Sequence, residues 1–152
     1  MKRDFIQLAI AFFTLAVGGA AEELLPRLLS VGIPVLLSAS AYFAVRRAPV
    51  AGMLFALAAG AAEDALCALP YAVSIAFFAA VAALMRGFKL PLACAAPAYV
   101  VYQLWLWIWL GQDLPGNIFA RMFAALPVGA ATLLAVHLVL SWVDGKAAVD
   151  EK

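Results

Sequence analysis

Four acids, one histidine, two cysteines and a row of tryptophans are the side chains of this chain with chemical potential. Glu63 and Asp64 close an apolar run, and Glu22 and Glu23 close another. An ionisable residue at membrane depth is a functional hypothesis in its own right. Gly52, Ala56 and Gly60 recur every fourth residue, and Asp64 continues the series. Small residues at this spacing let helix backbones approach closely. Asp64 therefore shares the packing face, while Glu63 lies about 100° around the helix. Glu63 reads as an interfacial acid. Asp64 stands between two readings, the wet cap of a hairpin and an acid turned into protein. Arg27 and Arg121 are its candidate partners. Trp105 and Trp109 share one helical face and Trp107 points elsewhere. They read as an aromatic belt or as a docking surface, since aromatics dominate binding hot spots. Trp142 and Tyr42 read as belt residues at the opposite interface.

The remaining candidates carry little chemistry. His137 has no Cys, Asp or Glu beside it in its own apolar run, so it makes a poor metal site. Gln103 reads as an interhelical hydrogen-bonding group. Cys67 and Cys94 fall near opposite ends of the bundle and are not expected to pair. Glycine-rich phosphate loops, HExxH and G-x-S-x-G are absent from the sequence. No enzyme, metal or other cofactor is expected.

The elements that position these residues follow from composition. The chain has 152 residues, 68% hydrophobic and 12% charged, with a net charge of +1, and a mean hydropathy of +1.04. Soluble domains carry about 25% charged residues. This is the composition of an integral membrane protein in one domain, 1–152. Strict alternation of apolar and polar residues is absent, which disfavours a barrel. The expected fold is all-α, a bundle of six transmembrane helices over about 5–21, 28–45, 48–67, 71–85, 90–110 and 118–143. The first run has signal-peptide features, but Asp4 and its length argue for retention.

Charge sets the orientation. Lys2 and Arg3, Arg46 and Arg47, and Arg86 and Lys89 mark every second connection. Basic loops are cytoplasmic, so both termini are expected there. The other connections hold Glu22, Glu23, Glu63, Asp64 and Asp113 against Arg27 and Arg121.

Residues 33–86 resemble the MreD family of rod shape-determining membrane proteins. The resemblance lies in Ile33-Pro34, in Tyr42-Phe43-Ala44-Val45-Arg46-Arg47-Ala48-Pro49, and in the small-residue helix with Gly60-x-x-x-Asp64. The rest agrees in hydropathy. Pro70-Tyr71-Ala72 stands where the family usually has a Leu-Gly pair, so the role of that glycine falls to Ala72 or Ser74. The resemblance implies a non-enzymatic scaffold of cell-wall elongation, multi-pass in the bacterial cytoplasmic membrane. It implies an MreC-like partner and, indirectly, MreB-like, RodA-like and class-B penicillin-binding proteins. No nucleic acid partner is expected. The competing reading is the substrate-binding membrane subunit of an energy-coupling-factor vitamin transporter, which shares the six-helix layout. Ala16 and Ala20 faintly echo its docking motif. A small enzyme using Glu63, Asp64 and His137 is disfavoured, because the topology puts His137 at the far end from the acids.

Overall fold

A computed structural model describes residues 2–29, 32–69, 72–110 and 118–149; the side chains of 2–4, 26–29, 118–119 and 147–149 also lie outside the described set. The described residues hold six α-helices and one short 3-10 turn, and no strand. They are α1 (Lys2–Leu29), α2 (Val35–Arg46), α3 (Pro49–Leu66), α4 (Val73–Gly87), α5 (Ala95–Trp109) and α6 (Ile118–Val149). The all-helical expectation holds. Four stretches are long and apolar enough to cross a bilayer: Phe5–Leu25, Pro49–Leu66, Leu92–Trp109 and Ala120–Lys146.

The other two helices are short. The expected run 28–45 is not one helix. Leu28 and Leu29 extend α1, residues 32–34 are non-helical, and α2 has only 12 residues. At about 1.5 Å per residue it spans roughly 18 Å, against about 30 Å of hydrocarbon. Pro34, with no N–H to donate, stands at its N-cap. α4 has 15 residues. The expected run 90–110 likewise opens on Pro91 and the 3-10 turn Leu92–Cys94 before α5 begins.

α2 is the core of the bundle. Every residue from Leu36 to Ala44 is buried, and α1, α3, α4, α5 and α6 all pack on it. A helix apolar on all sides is buried on all sides. Phe43 stacks on Phe55 of α3 at 4.0 Å between ring centroids. Tyr42 is 2% exposed, and its hydroxyl donates to Asp144 of α6 at 2.8 Å. It is therefore a core residue and not the belt residue expected. Trp142 is exposed, with Lys146 Nζ 4.0 Å above its ring.

Charged side chains gather at the two ends of the bundle. At the basic end Arg47 pairs with Asp144. There Arg86 of α4 donates to the carbonyls of Ala44 and Arg47 at 3.0 and 2.8 Å. These carbonyls end α2 without intrahelical partners, and a cation suits the negative end of a helix dipole.

Candidate functional site

The acidic end is where α1, α2, α3, α4 and α5 converge. Two short helices start there, and each is capped by an acid from the preceding long helix. Glu22 Oε1 on α1 accepts the N–H of Leu36 in the first turn of α2 at 2.7 Å. Asp64 on α3 accepts two N–H groups from the first turn of α4, Ser74 at 2.8 Å and Ile75 at 3.3 Å. First-turn N–H groups have no intrahelical partner, and negative charge suits the positive end of the dipole. Neither helix is capped by its own preceding residue.

Asp64 is 9% exposed, and both its oxygens are engaged by α4. The expected arginine partners are not what holds it. Arg121 lies in α6 and lines a separate hollow, and the Arg27 side chain lies outside the described residues. Asp113 also lies outside them. The small-residue face of α3 is used inside the bundle. Ala56 is fully buried. A Cβ on Gly52 would sit 2.8 Å from the Phe43 carbonyl oxygen, and one on Gly60 would sit 2.6 Å from Ile75 Cα. Gly52 thus seats α3 against the end of α2, and Gly60 seats it against the start of α4.

Pro70 and Tyr71 lie outside the described residues, but Ala72 is visible at φ 57. This left-handed backbone is one that glycine adopts without strain. Ala72→Gly should therefore stabilise the protein by about 1 kcal/mol. Thermal unfolding in detergent micelles checks this, and a lower Tm for the variant contradicts it.

Glu63 faces away from α4 and toward α1. It lines the same hollow as Glu22. Glu63 Oε1 lies 3.4 Å from the Tyr102 hydroxyl and 3.7 Å from Cys67 Sγ. Tyr102 also hydrogen-bonds Ser74 Oγ at 2.6 Å. The second oxygens, Glu22 Oε2 and Glu63 Oε2, are buried and have no partner. Beside the pair is a hollow of 250 Å³. Beyond Gly32, Tyr99 and Gln103 it meets a second hollow of 290 Å³ that carries Trp107 and Arg121.

The tryptophans divide between these roles. Trp105 Nε1–H donates to the Val73 carbonyl of α4 at 3.1 Å, so it is a packed residue of the acidic end. Trp109, 5.7 Å from it between centroids, is exposed. His137 lies 5.8 Å from Tyr42 toward the basic end, with a buried Nδ1 that has no partner. Both cysteines are free thiols. Among the described residues no three His, Cys, Asp or Glu side chains gather as a metal site.

The Glu22–Glu63 pair, Ser74 and Tyr102 were not singled out as a site by sequence. One signal for the pair is present in the letters. Gly19-Ala20-Ala21-Glu22-Glu23 is repeated as Gly60-Ala61-Ala62-Glu63-Asp64. Each copy lies in the later part of a long helix that precedes a short one, where a cap is needed. The copies differ in use, since the first acid caps in α1 and the second in α3. No family model matches the chain, and no curated protein or solved structure matches it.

Proposed function

We propose that the chain is a non-enzymatic scaffold of the MreD type, in the bacterial cytoplasmic membrane, serving cell-wall elongation and rod shape. In this reading the six helices form six spans and the basic end faces the cytoplasm. The termini then share that side, and the acidic end faces outward. An MreC-like protein is the direct partner, with MreB-like, RodA-like and class-B penicillin-binding proteins reached through it.

The observation that carries this reading is a groove of 610 Å³ between α1 and α6, floored by α2. It runs from Phe5 and Val143 at one end to Gly18 and Val35 at the other. That is roughly 20 Å of helix at the usual rise. Its lining is apolar except for Thr14, whose hydroxyl is turned onto the Ile10 carbonyl at 2.7 Å. Ala9, Gly18 and Ala135 keep its walls low, which suits the close approach of a single apolar helix.

A mild-detergent pull-down from native membranes tests the reading. Recovery of MreC-like, RodA-like and penicillin-binding proteins is expected. Ala135→Trp, which fills the groove, should lower recovery of the MreC-like protein about tenfold, equivalent to about 1.4 kcal/mol. Recovery of paired ATPases with a coupling membrane protein would instead establish the vitamin-transporter subunit.

A further inference from the structure

Toward the basic end, α2, α5 and α6 leave a hollow of 590 Å³ between them. Its wall is apolar at Val45, Leu92, Ala96, Leu133 and Leu134, and its polar side chains are Arg46 and His137. No carboxylate of the described residues lines it. From His137 to Ala130 it follows α6 for roughly 10 Å at the usual rise. Ala130 and Leu134 are exposed, so the hollow opens on the outside of the bundle.

Arg46 is the last residue of α2, where a cation could serve the helix end. Arg86 already fills that role through the carbonyls of Ala44 and Arg47. Arg47 is paired with Asp144, and Lys146 lies over Trp142. Among the described residues, Arg46 is exposed and makes no hydrogen bond or ion pair. The other apolar hollows differ in this respect. One of 390 Å³ between α1 and α3 also has an arginine in its wall, but that is Arg47, whose charge Asp144 answers. The groove between α1 and α6 has no charged residue in its wall.

A free guanidinium at an apolar hollow matches an amphiphile with an anionic head. The guanidinium fork takes two phosphate oxygens, and basic pockets between membrane helices favour acidic lipid heads. A soluble anion would leave the apolar wall uncovered, and an apolar helix would leave Arg46 without a counter-charge.

We propose that this hollow seats one anionic phospholipid, its phosphate on Arg46 and an acyl chain along α6 from His137 toward Ala130. The site requires a bilayer around the chain and does not depend on the scaffold reading.

The test uses the full chain in maltoside micelles, titrated with phosphatidylglycerol or with phosphatidylcholine of the same acyl chains. Native mass spectrometry counts the lipids retained, and circular dichroism shows that each variant is folded. One phosphatidylglycerol is expected to be held at least about tenfold more tightly than phosphatidylcholine. Arg46→Gln should remove most of that preference, and Arg46→Lys should restore part of it. Ala130→Trp, which fills the hollow, should weaken retention of phosphatidylglycerol about tenfold with Arg46 intact. Lys146→Gln, at the same end, should retain it at the parental level. Equal retention of the two lipids by the parent would overturn the proposal. So would equal losses in Arg46→Gln and Lys146→Gln, which would mean diffuse attraction to a basic surface. Full retention in Ala130→Trp, or displacement of the lipid by an equal concentration of inorganic phosphate, would mean that the hollow seats no acyl chain.

Discussion

Gly60→Ala is expected to destabilise the protein by about 3 kcal/mol, although alanine is the better helix former. The added methyl would lie 2.6 Å from Ile75 Cα, 2.7 Å from Ile75 N and 2.8 Å from the Ser74 carbonyl oxygen. All three are backbone atoms, so no rotamer change relieves the clash. α4 must move off α3 as a body, and that motion stretches both Asp64 bonds to its first turn. The propensity gain of about 0.5–1 kcal/mol does not offset this. Gly19 holds the same place in the first copy of the repeat and supplies the control. Its nearest contact would be the tip of the Leu66 side chain at 3.4 Å. Gly19→Ala should therefore be neutral or stabilising by up to about 1 kcal/mol. Reversible unfolding in mixed micelles compares the two, and equal effects would refute the close-contact account.

The parts of this arrangement that were legible in the letters are those written locally. Sign-alternating charge clusters mark the two ends of the bundle, and Arg86, Arg47 and Asp144 do meet at one of them. The four-residue spacing of Gly52, Ala56 and Gly60 marks the packing face of α3. Hydropathy could not separate a helix facing lipid from one surrounded by protein, because both are apolar all round. The run 28–45 therefore read as one span, although Pro34 marks where α2 begins. The meeting of Glu22 with Glu63 depends on α1 lying against α3, which no local pattern encodes. The same holds for Tyr42. An aromatic near a span end suits a belt, and only the position of α6 shows that it reaches Asp144.

Asp64→Ala is expected to lower stability by about 3 kcal/mol. The substitution leaves the Ser74 and Ile75 N–H groups without their acceptors at the start of a short helix. Ser74 is fully buried, so water does not readily replace the carboxylate there. A buried donor left unpaired costs about 1–3 kcal/mol. Asp64→Asn keeps one acceptor oxygen and loses the charge that favours the helix dipole, so about half of the loss is expected. Glu63→Gln should behave oppositely. It removes a like charge from beside Glu22 and offers that carboxyl an N–H donor, so stability should hold or rise by up to about 1 kcal/mol. Adjacent acids on one helix thus have opposite consequences, because one faces the start of α4 and the other faces a second acid. Amide hydrogen exchange supplies the site-specific check. Exchange at Ser74 and Ile75 should accelerate in Asp64→Asn and stay at the parental rate in Glu63→Gln. Equal tolerance of Asp64→Asn and Glu63→Gln, in stability and in exchange, would mean that Asp64 does not hold α4.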